Sequence, residues 1–153
     1  MPLEINNLSG RRLNAKIFFL ATEKFFRARR IKNYFLSLAL VKDKEMCRLN
    51  RERLDHNYPT DVLAFNLGAE IKRGQDVLFG EIILDYEQIA RQARKYGQSA
   101  AAELIFVFVH GLQHLAGEQD RTISEREAMH QRARAFLDKI GFYSSKKSSL
   151  FRR

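Results

Sequence analysis

The chain has few of the features that mark secreted and membrane proteins. It contains one cysteine in 153 residues, Cys47, and this scarcity favours a reducing compartment and a protein without disulfides. Its first residues do not have the pattern of a signal peptide. No apolar run approaches the roughly 20 residues that are needed to span a bilayer. Together these absences predict a cytoplasmic protein that does not associate with a membrane.

Acidic residues are fewer than basic ones. The sequence has 18 aspartates and glutamates against 27 lysines and arginines, which gives a formal net charge of +9. The basic residues cluster at positions 27–32, 72–73, 91–95 and 146–153. Each cluster alone is typical of a solvated surface, but their sum favours a polyanionic partner, with nucleic acid as the leading class.

Two histidines four residues apart follow a long apolar run. The run, residues 104–109, leads into His110 and His114. In a helix this spacing places both imidazoles on one face, one turn apart, where they can bind one metal ion. Gly117 then predicts a sharp turn, because glycine adopts left-handed backbone angles freely. Such a turn returns Glu118 or Asp120 to the rings, so the sequence predicts a three-ligand site with an open position, as in catalytic zinc centres.

Two alternatives to this interpretation stay open. Histidines at this spacing are often only paired imidazoles at a helix surface. A zinc peptidase would carry a glutamate directly after the first histidine as its general base, but this chain has Gly111 there, which disfavours a peptidase. The other two histidines, His56 and His130, are expected in a solvated turn and on the surface of the last helix.

The pattern of apolar residues predicts an α+β fold in one domain, residues 1–143, followed by a basic, flexible tail at 144–153. Alternating and continuous apolar segments indicate strands, whereas apolar residues at three- and four-residue spacing indicate helices. We expect a small mixed β-sheet packed with about five helices, and a metal site at the end of the long central helix. The predicted strands are 2–6, 34–41, 61–65 and 78–84, and the last two are expected to form a hairpin. The first three predicted helices are 11–29, 43–54 and 85–95. A fourth helix, capped by Ser99, carries both histidines, and a fifth, capped by Thr122 or Ser124, ends before Gly141.

Three sequence blocks resemble the YbeY family of bacterial rRNA maturation factors, which are metal-dependent endoribonucleases. The family signature His-Gly-x-Leu-His-Leu-x-Gly-x-Asp-His corresponds to residues 110–120. A second block, Pro-Thr-Asp-Val-Leu-Ser-Phe, corresponds to residues 59–65, and a third, Leu-Gly-Asp-Ile, to residues 79–82. The blocks occur in the family's order and spacing. The chain departs from the pattern in two ligand-region positions, where the third histidine is Asp120 and the acid before it is Gln119, and at Gln113, which replaces a leucine. The family's basic residue ahead of Pro59 aligns with Leu54, beside Arg53.

The resemblance implies a function and a set of site residues. His110, His114 and Asp120 would hold one zinc ion, Arg53 would neutralise a substrate phosphate, and Glu118 would act as a general base. The implied activity is cleavage of single-stranded RNA during rRNA maturation, ribosome assembly and quality control. Further expected partners are proteins of the small ribosomal subunit. The oligomeric state is open, with a monomer favoured.

Two rival functions remain at this point. One is a non-catalytic ribosome-assembly factor, in which the metal stabilises the fold and the basic surface binds RNA or a ribosomal protein; the replaced third ligand keeps this reading open. The other is a hydrolase of a small molecule or peptide, which the positive charge and the missing glutamate after His110 disfavour.

Overall fold

The computed structural model describes residues 2–56, 60–68 and 77–142. Four strands and five helices follow one another along these ranges in the predicted order. The elements are β1 (Leu3–Asn7), α1 (Ala15–Ala28), β2 (Asn33–Val41), α2 (Asp43–Leu54), β3 (Val62–Asn66), β4 (Val77–Asp85), α3 (Tyr86–Lys95), α4 (Ala100–Leu115) and α5 (Ile123–Lys139).

The strands form one mixed sheet in the order β1-β2-β4-β3. Strands β1, β2 and β4 are parallel, whereas β3 pairs antiparallel with β4 at one edge. This confirms the predicted α+β class, the mixed sheet with five helices, and the pairing of the two strands that were expected to form a hairpin. Most of the connection between them, residues 69–76, lies outside the described residues, as does the predicted tail.

Helix α4 packs against one face of the sheet and is buried along nearly its whole length. Two glycines allow its close approach. A Cβ atom on Gly80 of β4 would lie 2.7 Å from Leu115, and one on Gly111 of α4 would lie 3.1 Å from Ile82. Because neither glycine carries a side chain, the helix lies directly on the strand. This contact sets the position of the histidine pair relative to the sheet.

Helix α2 covers part of the opposite face. There Met46 packs with Val41, Leu63 and Ile83 in a small separate core. The two faces follow from the alternation of side chains along each strand. In β2, for example, Leu36, Leu38 and Leu40 all belong to the larger core beneath α1 and α4.

Local hydrogen bonds explain most helix boundaries. Ser99 Oγ accepts from the Ala102 amide and Thr122 Oγ1 from the Glu125 amide, so Ser99 caps α4 as predicted, and Thr122 rather than Ser124 caps α5. The prediction was wrong at α1, which begins at Ala15 and not at residue 11. There the Asn7 side chain binds the Arg11 carbonyl and holds a turn in place of the first helical turn. No helix in the described ranges is long and apolar enough to cross a membrane.

Candidate metal centre and its cleft

The turn that ends α4 brings the chain back towards the two histidines. Gly117 has a φ of +92°, and its amide donates to the His114 carbonyl at 3.0 Å. The next amide, that of Glu118, donates to the Gln113 carbonyl at 3.0 Å. This pair of bonds is a Schellman motif, which requires a left-handed residue at the position of Gly117. The predicted role of Gly117 as the helix stop is confirmed.

Three potential ligand atoms converge at this end of α4. Nε2 of His110 lies 3.0 Å from Nε2 of His114 and 3.2 Å from Oδ2 of Asp120, and the His114–Asp120 separation is 3.4 Å. We call these residues the ligand triad. A tetrahedral zinc ion with bonds of roughly 2.0–2.1 Å holds its ligand atoms about 3.3 Å apart. The spacing of the triad therefore fits a tetrahedral metal ion with one position left for water or substrate.

The surroundings of the triad favour the neutral imidazole that a metal requires. Burial lowers the pKa of His110, and the neighbouring His114 lowers it further, while Asp120 and Asp61 act in the opposite direction. Because its pKa is lowered, the ring of His110 stays neutral to a lower pH than an ordinary histidine, and its Nε2 keeps the lone pair that a metal needs. His110 is largely buried, with 14% of its side chain exposed, whereas His114 and Asp120 are about one-third exposed. The triad is therefore anchored on one side and open on the other.

The open side faces a cleft of about 530 Å³ between α4 and the edge strand β3. Its walls include the ligand triad, Leu54 and residues 60–65. Within the described residues β3 pairs only with β4, and residues 60–65 line this cleft. Strand β3 is therefore the sheet edge that faces the helix carrying the histidines.

The packing of Gly111 explains why a peptidase arrangement is absent. In zinc peptidases the residue after the first histidine is a glutamate that serves as general base. Here that position points at Ile82 of the sheet, with only 3.1 Å available to a Cβ atom. A glutamate at 111 would press on the buried Ile82 side chain, so the packing of α4 on the sheet disfavours it.

The structure gives Glu118 two ionic partners. Its carboxylate accepts from Arg29 and from Arg132, both at 2.6 Å, and is 13% exposed. The two guanidinium groups occupy its carboxylate oxygens, and Glu118 is not among the residues that line the cleft. This geometry does not support the expected role of general base, which stays a prediction.

Arg53 lies near the cleft but is already paired. Its guanidinium binds the Glu81 carboxylate at 2.6 Å and sits 4.9 Å from the centre of the Phe65 ring. Phe65 lines the cleft, whereas Arg53 does not. Contact with a substrate phosphate would require the guanidinium to exchange or share its Glu81 partner, and this role also stays a prediction.

Sequence reasoning placed His130 on the surface, and the structure corrects this. The ring centre of His130 lies 5.5 Å from that of His110 and 5.5 Å from that of Phe106. The residue is partly buried, and burial, followed by the nearby Arg134, lowers its pKa. It therefore supports the inner histidine of the triad. Its position on α5 gave no sequence signal, because the contact joins two helices.

Two other residues gain importance from the structure. Asp61, within the second family block, lines the cleft, and its negative charge partly opposes the lowering of the pKa of His110 and His130 by burial. Gln113 is buried, and its Nε2 donates to the Met129 carbonyl at 2.9 Å, which ties α4 to α5. The sequence block around Asp61 was a signal that could have identified it as a site residue.

A second group of carboxylates also has the spacing of metal ligands. Asp43, Asp85 and Glu87, here called the acid cluster, have ligand atoms within 4.8 Å of one another. Asp43 receives two hydrogen bonds from Arg91, both at 2.8 Å. Asp85 Oδ1 caps α3 by accepting from the Glu87 and Gln88 amides. Its carboxylates thus already have partners within the protein.

Comparison with known proteins agrees with these features. Residues 6–141 match the family model described as Endoribonuclease YbeY. A protein named Endoribonuclease YbeY from Elusimicrobium minutum is 38% identical over 69% of this chain and 73% of its own length. Another of that name from Halalkalibacterium halodurans is 35% identical over 73% and 76%. The solution structure of a Thermotoga maritima protein, 26% identical, superposes with a TM-score of 0.59 over 95% of each chain. The chain belongs to the endoribonuclease YbeY family.

Proposed function

We propose that this protein is a metal-dependent endoribonuclease that cleaves single-stranded RNA. The observation that carries the proposal is the convergence of His110, His114 and Asp120 to within 3.0–3.4 Å at an open cleft. Relatives that carry the name Endoribonuclease YbeY support the reaction class. The net charge of +9 supports an anionic polymer as the substrate.

We propose zinc as the metal, held by His110, His114 and Asp120. Two imidazoles and one carboxylate are a ligand set of catalytic zinc centres, which keep a fourth position open. When bound, zinc supplies Lewis acidity towards a phosphodiester and makes water more acidic. The exposed side of the triad, formed by His114 and Asp120, faces the cleft, where a bound substrate would reach it.

The remaining chemistry falls to side chains of the cleft. Asp61 presents a carboxylate to the same space as the triad, so we assign to it, rather than to Glu118, the acceptance of a proton from the attacking water. Arg53, beside the cleft over Phe65, would orient a phosphate once its guanidinium turns from Glu81. The size of the cleft, about 530 Å³, suits a short stretch of a single strand better than a duplex.

The biological setting of the proposal is ribosomal. We propose that the substrate is rRNA, processed in the cytoplasm during ribosome assembly, with small-subunit proteins as partners that present it. The three family blocks support this setting, because the family is one of rRNA maturation factors.

RNA cleavage by the metal-loaded protein tests the proposal. The purified chain should cut a single-stranded oligonucleotide and leave the same sequence intact in a duplex. His114→Ala should lose cleavage by at least about 100-fold, since it removes one of three ligands. A matched control, His56→Ala, changes a histidine outside the triad and should cleave as the wild type does. Equal cleavage by His114→Ala and wild type would refute the metal centre as the active site.

The non-catalytic assembly factor is the second candidate, and Asp120 is the observation that favours it. A carboxylate in place of a third imidazole lowers the net charge of a loaded site by one and weakens its Lewis acidity. If the wild type binds metal and RNA but cleavage appears only in Asp120→His, the natural chain is an RNA-binding assembly factor.

A further inference from the structure

One part of the sheet that α2 leaves uncovered presents aromatic rings to solvent. Phe35 of β2 and Phe79 of β4 are register partners, with their rings stacked at 12° and 5.5 Å between centres. They are 58% and 44% exposed, and Leu67, which follows β3, is 61% exposed. The Leu67 amide donates to the Phe79 carbonyl at 2.7 Å. These three side chains, here called the aromatic row, lie side by side across three adjacent strands.

The aromatic row is continuous with the metal cleft. Side chains two residues apart along a strand share a face and lie about 7 Å apart. One such step from Leu67 leads to Phe65, which lines the cleft and lies under the guanidinium of Arg53. A chain that leaves the cleft around the β3 edge therefore passes Phe65 and Arg53 and then reaches the aromatic row.

The surface between the metal cleft and the aromatic row is less negative than its glutamates suggest, which suits a polyanion. Glu81 lies opposite Phe65 in the register, but its carboxylate is paired with Arg53 at 2.6 Å. Glu4 borders the groove beside the aromatic row, which makes the row itself a poor place for phosphates. Among the described residues no lysine or arginine lines this groove, and flat apolar rings favour the bases of a nucleic acid rather than its backbone.

We propose that Phe35 and Phe79, with Leu67, bind unpaired bases of the single-stranded RNA whose backbone occupies the metal cleft. The inference rests on the proposed function and extends the substrate site to a second region. Single-stranded RNA is commonly held by bases that stack on aromatic side chains of a sheet, because every base has a flat face. Binding there is tolerant of sequence, and it excludes a duplex, whose bases are already stacked on each other.

The absence of tryptophan from the chain makes a direct probe possible. In Phe35→Trp the introduced indole is the only one, so its fluorescence reports on the aromatic row alone. A short oligouridine should quench it, whereas a ribose-phosphate oligomer of the same length without bases should not. Leu20→Trp, at another exposed position on α1, is the control and should not be quenched. Equal quenching of both variants, or quenching by the abasic oligomer, would overturn the proposal.

A second set of variants separates base stacking from other uses of an apolar surface. Replacing both rings by leucine keeps an apolar surface and should weaken oligouridine binding at least about fivefold, because stacking on a ring contributes strongly per base. Replacing both by tyrosine should retain binding. Wild-type affinity in the leucine pair would overturn the proposal, as would a wild-type dimer that dissociates in the leucine pair, since the row would then be an interface between copies.

The same variants distinguish this proposal from the nuclease assignment. In His114→Ala combined with Phe35→Trp, quenching should persist although cleavage is lost. If no variant cleaves RNA but quenching by bases persists, the nuclease assignment fails and the aromatic row remains a base-binding site. If cleavage is normal while the leucine pair keeps the wild-type Kd and KM, the aromatic row fails and the nuclease assignment remains.

Discussion

The ligand triad and the acid cluster are both groups of three potential ligands in the described part of the chain, yet they have different surroundings. The triad combines two imidazoles with one carboxylate, and it opens on a cleft. The acid cluster consists of carboxylates only. One of them is bound by Arg91 through two hydrogen bonds, and another, Asp85, is fully buried and caps a helix.

The two groups differ in whether groups within the protein already neutralise their negative charges. Burial, and then the neighbouring Asp43, raises the pKa of Asp85 to about 8, whereas Arg91 lowers that of Asp43 to about 2. The acid cluster thus holds its own proton and its own cation, and it supports α3 without a metal. The triad has no arginine or lysine among its ion-pair partners in the described structure, so a divalent cation is the partner that its geometry fits. Spacing alone does not distinguish the two groups.

The largest expected effect is the rise in Tm when metal binds at the ligand triad. Zinc added to chelator-treated wild type should raise Tm by about 5 °C or more at saturation, because ligand that binds only the folded state adds its binding free energy to stability. Asp120→Ala should lose most of this increase. Differential scanning fluorimetry with elemental analysis measures both quantities.

The acid cluster supplies the matched control for this experiment. Glu87→Gln removes one carboxylate from it and should leave the zinc-dependent increase in Tm unchanged. Asp120→His should keep metal, since imidazole and carboxylate are both competent zinc ligands. Loss of metal from Glu87→Gln but not from Asp120→Ala would reverse the comparison between the two groups.

A smaller effect is expected from the ion pairs beside the triad. Glu118, two residues before Asp120, joins Arg29 at the end of α1 to Arg132 of α5. We expect Glu118→Gln to weaken zinc affinity by about tenfold, as changes behind a ligand commonly do. Saturating zinc should restore cleavage, because the glutamate positions the loop and does not touch the reacting atoms.

A similar ion-pair bridge elsewhere provides the control. Arg48 joins Glu45 and Glu52 on the exposed face of α2, so Glu45→Gln also breaks a bridge but should not change zinc affinity. If Glu118→Gln instead keeps wild-type affinity and loses kcat at full metal loading, Glu118 is the general base that the sequence predicted.

The sequence was sufficient for features that depend on neighbours along the chain. The helix that carries both histidines, its stop at Gly117 and its cap at Ser99 depend on contacts within a few residues, and each was predicted correctly. At the start of α5 the structure selects Thr122 from the two predicted caps. The failed start of α1 was also local, but side-chain hydrogen bonds in the preceding turn compete with the helix there.

Features that depend on contacts between distant elements could not be read from the sequence. The ring contact of His130 with His110 joins α5 to α4, and the ion pairs of Glu118 reach across 89 and 14 residues. Arg53 meets its partner Glu81 only because α2 crosses the sheet near β4. A charged residue near a motif is therefore easily assigned a catalytic role as long as its ion-pair partner is unknown.

The smallest expected effect is a pH dependence that belongs to the acid cluster alone. Asp85 has a raised pKa of about 8 against an ordinary value of 3.8, so above about pH 4 the folded state holds a proton that the unfolded chain releases. Its contribution to stability is complete below about pH 4 and is lost as the pH rises through about 8. Asp85→Asn keeps a capping side chain, since asparagine caps helices as well as aspartate does, but it has no proton to lose. The Tm of wild type minus that of Asp85→Asn should therefore fall by a few degrees between about pH 5 and pH 9, measured with chelator present in both proteins. Asp43 stays ionised throughout this range, and no other residue differs between the two proteins, so the difference reports on Asp85. A difference that stays constant over this range would mean that Asp85 is already ionised in the folded protein at pH 5, and the acid cluster would then be a second place with unsatisfied negative charge for a cation.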